Sequence, residues 1–307
     1  MQTVFSATLN QMISFFIIMI IGYIIKKTGV VNDKFDNATS QLQSNVIMPA
    51  LIFQTFYNNF KLDMLKNNAF IFIVGFITIS LSCLVAHFLA KPFGGKDSYQ
   101  RSIYSYSFTT ANFGYMGYAV IGAVFGEKAL AVMMVFCIPY SMYVYSIGTA
   151  ILNPNNPKIS LKSLGIPVFY LMILGAVLGL LNIPLPQVVI STANSLGSCM
   201  GPLAMLIAGF VIAKYDLKDL FTFKRVYLAS LIRLVVLPGI IAVIMKLFKI
   251  DTNIILAAMG AAAMPLGLNT VVFPAAYGGD TRTGASMALI SNLLGIITIP
   301  IVFAFVA

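Results

Sequence analysis

"MPLGLNTVVFPAAYGGD", Met264–Asp280, lies inside a run whose other residues suit a membrane-spanning helix. It carries Pro265 and Pro274, with Gly267 and Asn269 between them. Proline removes a backbone donor and clashes with the preceding turn, and glycine weakens a helix interior. Lipid offers no partner to the backbone groups that such a break frees. The break must therefore be buried in protein or line a wet cavity. The segment reads as a helix interrupted on purpose, and the rest of the chain has to explain why.

Composition sets the class. The chain has 307 residues, 59% hydrophobic and 9% charged, with a mean hydropathy of +0.93. A soluble domain carries about 25% charged residues. Apolar runs of membrane-spanning length recur from end to end, so the chain is a polytopic, all-α membrane protein. The first run, "MISFFIIMIIGYII" (Met12–Ile25), lacks a basic leader and a small-residue cleavage site and reads as a retained helix. The net charge of +10 comes from short clusters between apolar runs rather than from a basic face, which argues against nucleic acid as a partner. Cys83, Cys137 and Cys199 sit in apolar stretches at unrelated spacings, with no metal-type pattern. Neither H-E-x-x-H, G-x-S-x-G nor a P-loop occurs, so the sequence points away from an enzyme and from a chain that hydrolyses ATP.

Ten spans are expected near 8–26, 43–57, 68–90, 103–125, 129–151, 165–182, 195–213, 226–248, 253–278 and 284–306. Their connections are short and polar, as in "KKTGVVNDKFDN" (Lys26–Asn37), "NPNNPKISLKS" (Asn153–Ser163) and "KYDLKDLFTFKR" (Lys214–Arg225). With the N-terminus outside, the inner loops hold Lys26, Lys27, Lys34, Lys91, Lys96, Arg101, Lys158, Lys162, Lys214, Lys218, Lys224, Arg225 and Arg282. The outer loops hold Lys61, Lys66, Lys128, Lys246 and Lys249, and Arg233 is left within a span. Thirteen against five follows the positive-inside rule. The expected location is the plasma membrane, with several passes and both termini outside.

The two halves resemble each other. "NVIMPALIFQTF" (Asn45–Phe56) pairs with "SCMGPLAMLIAGF" (Ser198–Phe210), and "ANFGYMGYAVIGAVFGEKALA" (Ala111–Ala131) with "MPLGLNTVVFPAAYGGDTRTGA" (Met264–Ala285). Five spans per half is an odd number, so the second half enters the membrane upside down. Residues 1–151 form one five-helix repeat and 165–307 the inverted second one. Inverted repeats with interrupted helices at matching positions point to a secondary transporter with its site at the two breaks.

These residues carry a resemblance. "IIGYIIKKTGVVNDKFDNATSQLQSNVIMPALIF" (Ile20–Phe53), "ANFGYMG" (Ala111–Gly117), "RLVVLPG" (Arg233–Gly239) and the Met264–Asp280 stretch are similar, in order, to elements of the auxin efflux carrier family. That family includes plant PIN carriers and malate-permease-like bacterial proteins. The resemblance implies two inverted repeats of five helices. Spans 1, 2, 6 and 7 (8–57 with 165–213) would form a scaffold and homodimer surface, and spans 3–5 and 8–10 (68–151 with 226–307) a mobile transport unit. Broken spans 4 and 9 would cross at the substrate. The family's proline after the span 4 element is missing from "GYAVIG", so the break there is expected to rest on Gly114, Gly117 and Gly122.

Half-helix N-termini suit a carboxylate. Asn112 and Asn269 add amides that both donate and accept, and Thr109, Thr110 and Thr270 add hydroxyls. The expected binding set is Asn112, Gly114, Asn269, Thr270, Pro265, Asn45, Thr110 and Tyr115, with Asn45 contributed by the scaffold through the resemblance. The other reading of the asparagines is hydrogen-bonded glue between helices. Tyr118, Tyr140 and Tyr143 line a vestibule or sit at an interface. Arg233 is expected to be structural or anion-attracting, and its closeness to Lys224 and Arg225 also lets it snorkel to the inner surface. His87 reads as a packed residue rather than a relay. Glu127 and Asp280 read as caps beside Lys128 and Arg282.

The expected function is a carrier of a small organic anion, such as malate or an indole-type acid, working by alternating access without a cofactor. Sodium or proton coupling is left open. The alternative is a sodium-coupled organic-anion carrier of the bile-acid symporter type.

Overall fold

The computed structural model describes residues 2–61, 68–155 and 167–307. Among them the regular elements are helices, joined by one isolated antiparallel bridge between Ala111 and Leu266. Five helices are long and apolar enough to cross a membrane: Val4–Lys27, Ala69–Gly94, Gln187–Ala213, Lys224–Leu247 and Arg282–Val306. They are spans 1, 3, 7, 8 and 10. Span 5 is bent by 44° between Lys128–Phe136 and Ile138–Leu152. Shorter apolar helices, Phe113–Gly126, Tyr170–Leu180 and Thr252–Ala262, belong to spans 4, 6 and 9. The chain is an all-helical, multi-pass membrane protein.

Several helices start earlier than hydropathy suggests, two of them at polar caps. Span 2, expected from 43, begins as Asp33–Leu42 and continues through a π-helical turn, Gln43–Ile47, into Met48–Asn59. Asn32 accepts the Phe35 N–H, and Asp33 and Asp36 sit in the positive first turn. Asp97 caps Ser98–Thr109 by accepting from Tyr99 and Gln100, so span 4 begins before 103. Span 7, expected from 195, begins with Gln187, immediately after Pro186. The beginning of span 6 and the loop residues Lys66, Lys158 and Lys162 lie outside the described residues.

Span 1 shows how lipid and protein faces are sorted. Met12, Phe15 and Met19 are buried, while Ile13, Ile17, Ile20, Ile21 and Ile24 are exposed. Lipid is as apolar as these side chains, so helices associate by close packing instead. Gly22 and Gly209 provide it: a Cβ on Gly22 would meet the Leu206 backbone, and one on Gly209 would meet the backbone of Met19, Gly22 and Tyr23.

Residues assigned to one membrane side by charge do come together. Lys26 reaches Asp36 at 2.8 Å and Asp33 at 2.7 Å, and Lys214 reaches Asp36 at 3.1 Å. Arg225 donates to the Phe93 carbonyl at 2.9 Å. At the other end, Lys246 donates to the Phe305 carbonyl at 3.1 Å. The Asp36 carboxylate is fully buried and ties spans 1, 2 and 7 at one end.

Candidate functional site at the crossing of two broken helices

Half-helix Ser98–Thr109 ends where Thr110 turns extended (φ −128°, ψ 140°). Ala111 then pairs with Leu266 in the antiparallel bridge, and the Asn112 N–H donates to the Pro265 carbonyl at 2.9 Å. The chain resumes as a π-helical turn, Phe113–Gly117, and then a helix from Tyr118. In the second half, Thr252–Ala262 ends, residues 263–268 are non-helical, and Asn269–Tyr277 follows. Each break serves as the other's hydrogen-bond partner. Leu266 N–H finds the Ser291 hydroxyl at 3.1 Å, while that hydroxyl donates to the Met287 carbonyl at 2.6 Å. The Asn112 and Leu266 N–H groups of the two breaks thus find partners within the protein, as the membrane interior demands.

The span 4 break does not rest on glycine. It lies at 110–112, ahead of Gly114, Gly117 and Gly122, which are all in the helical part that follows. The bridge to Leu266 replaces the helical bonds there, so a Thr-Thr-Ala-Asn sequence breaks without Gly or Pro. Pro265 performs the expected role in span 9.

The amide of Asn269 is held at both ends. The Tyr115 hydroxyl donates to Oδ1 at 2.5 Å, and Nδ2 donates to the Tyr106 hydroxyl at 2.6 Å. Tyr106 is fully buried, its ring wedged between Gly148 and Gly267. A Cβ on either glycine would come within 2.8 Å of that ring. Asn112 is 2% exposed, and neither its Oδ1 nor its Nδ2 has a partner among the described residues. A cavity of about 10 Å³ is lined by both asparagines, together with Gly114, Tyr115, Tyr145 and Gly267. That is room for about one water, so the site is closed in this form.

The remaining expected residues divide. Thr110 and Thr270 are fully buried beside the crossing, but Thr270 donates to the Gly267 carbonyl at 2.9 Å and Thr110 points at the Tyr106 carbonyl at 3.4 Å. Asn45 is not brought to the crossing: it is exposed, and its Nδ2 donates to the Gln41 carbonyl at 2.9 Å. The inward face of the same helix carries Ser40, Gln43, Ser44 and Ile47, all buried. Gln43 Nε2 lies 3.4 Å from the Met200 carbonyl. The i, i+3, i+4, i+7 spacing of those four residues was a readable signal that Gln43 and Ser44, not Asn45, face inward.

Arg233 does not snorkel. It is fully buried, turned inward by the π-helical turn Ile232–Val236, and donates through Nη2 to the Ala261 carbonyl at 3.4 Å. His87 lies on an exposed face beside the Phe88 ring. Asp280 caps the last helix by accepting the Arg282 N–H at 2.9 Å, while the Arg282 side chain pairs with Asp219 at 3.3 Å. The Glu127 side chain lies outside the described residues. A larger groove of about 550 Å³ runs between spans 3 and 8, lined by residues such as Leu81, Leu237 and Ile244. Its two hydroxyls, Thr78 and Ser82, bond their own helix, so it offers lipid-facing surface and no converging polar groups.

The two-fold arrangement of broken helices is matched by sequence comparison. The model of the family described as "Membrane transport protein" matches residues 7–163 and again 155–303. The chain belongs to this family. It is 22% identical over 309 residues to an uncharacterized transporter of Methanothermobacter thermautotrophicus, covering 97% of this chain and 98% of that protein. It is 24% identical over 295 residues to one from Methanocaldococcus jannaschii, covering 92% and 94%. As a membrane transport protein of the auxin efflux carrier type, the chain carries the two-repeat helical fold, and its function is transport across a membrane.

Proposed function

We propose that this membrane transport protein is a secondary carrier of a small organic carboxylate, bound where spans 4 and 9 cross. The observation that carries the reading is the buried Asn112 amide, unpaired at both ends among the described residues and lining the same small cavity as the tyrosine-held Asn269. A carboxylate only accepts hydrogen bonds. It can take the place of the Tyr106 oxygen at Asn269 Nδ2, draw the Tyr115 hydroxyl away from Oδ1, and accept from Asn112 Nδ2. Among the described residues no Asp or Glu lines the cavity to repel it.

In this reading spans 3–5 and 8–10 move against a scaffold of spans 1, 2, 6 and 7, which also forms a homodimer. The crossing opens alternately to the two sides of the plasma membrane, with both termini outside. The 10 Å³ cavity is a closed stage of that cycle.

The reading is tested by thermal unfolding of purified protein with malate, succinate and indole-3-acetate, each against its neutral amide. At least one acid should raise the midpoint while its amide does not. Equal responses to acid and amide throughout the series would contradict an anion site.

A further inference from the structure

Arg233 poses a question that substrate binding leaves unanswered. A guanidinium keeps its charge in a protein, and burying it costs heavily unless something compensates. Among the described residues no acidic side chain pairs with it: the ion pairs are those of Lys26, Lys214 and Arg282. Its Nε and Nη1 find no partner among the described residues.

What it does meet is a helix end. Ala261 is the penultimate residue of half-helix Thr252–Ala262, which stops inside the protein just before Pro265. The last carbonyls of a helix lack intrahelical partners and carry partial negative charge, which favours a cation within the last turn. In broken-helix carriers such carbonyl ends are where coupling cations bind. The repeat pairing that sets Ala111 against Met264 sets Arg233 against Ser80, an uncharged residue that donates to the Phe76 carbonyl of its own helix.

We propose that Arg233 is the resident cation of the crossing, fixed at the carbonyl end of the second broken helix where a bound sodium would otherwise sit. Arg233 is then a positioning residue: it holds the end of the half-helix that leads into Pro265 and Asn269. This inference rests on the carrier reading for its consequence, that carboxylate transport needs no sodium. Its test does not depend on any substrate.

Thermal unfolding is measured in sodium chloride and in choline chloride at equal ionic strength, without carboxylate. The wild type should show the same midpoint in both. Arg233→Ala should unfold about 4 °C or more lower, and added methylguanidinium or sodium should restore at least half of that loss while leaving the wild type unmoved. Arg233→Lys, which keeps the charge, should retain most of the wild-type midpoint and serves if the alanine variant does not fold. A merely structural side chain would not create a cation response. A sodium-dependent rise in the wild type would overturn the inference. So would an Arg233→Ala loss that no cation restores, or an Arg233→Lys protein as unstable as one lacking the charge. If instead the resident cation stands but no carboxylate binds, the substrate reading fails alone.

Discussion

At the residue scale, the site is an arrangement of two amides and two phenols in which one amide is paired and the other is not. Tyr106→Phe removes the acceptor of Asn269 Nδ2 and leaves a buried donor unpaired. Such a loss costs about 1–3 kcal/mol, so the variant should unfold at lower denaturant than wild type by that amount, with the same slope. A different residue gives a pH signature. Lys26, hydrogen-bonded to Asp33, holds that carboxyl below its ordinary value of 3.8. A depressed carboxyl stabilises the fold above its unfolded pKa and loses that effect as pH falls through the folded value. The midpoint difference between wild type and Asp33→Asn should therefore be present at neutral pH and vanish below the ordinary carboxylate range. A difference that persists in acid would show that the Lys26 pair is not its source.

At the element scale, two glycines of similar appearance in the sequence have opposite roles. Gly267 faces the Tyr106 ring, where a Cβ would come within 2.8 Å, whereas a Cβ on Gly114 meets nothing within 4 Å. Gly267→Ala should destabilise by about 1–3 kcal/mol through overpacking. Gly114→Ala, in a helical turn, should be neutral or stabilise by up to about 1 kcal/mol. Urea unfolding of the pair checks the contrast, and equal losses would refute the packing account. The same comparison shows what was legible. Pro265 announced the span 9 break because proline acts locally. The span 4 break was visible only as the partner of span 9, since its cause is a bridge from Ala111 to a residue on another element. Helix starts at Asp33, Ser98 and Gln187 were mislaid because hydropathy marks the apolar stretch, whereas Asn32 and Asp97 start helices outside it.

At the scale of the whole molecule, hydropathy and repeat symmetry made the all-helical, two-repeat fold legible, because both are properties of the entire chain rather than of one residue. Long-range side-chain partners were beyond them. Tyr106, Gln43 and the buried Asp36 cluster depend on which faces meet, and the helical phase of Asn45 turns it away from the crossing. Asp36 joins Lys26 and Lys214 across spans 1, 2 and 7, so Asp36→Asn leaves Lys214 without its carboxylate and Lys26 with Asp33 alone. Breaking a buried pair costs about 3 kcal/mol or more, and the variant should lose that much stability in urea while keeping its helix content. The central claim is that the crossing of spans 4 and 9 binds the transported anion. It is tested most directly by uptake of radiolabelled malate and indole-3-acetate into proteoliposomes containing wild type, Asn112→Ala or Asn269→Ala. The account predicts uptake of at least one acid by the wild type, and about tenfold or greater loss in both variants, as expected for removing one hydrogen bond to a charge. Wild-type rates in both variants, for an acid that the wild type carries, would contradict it.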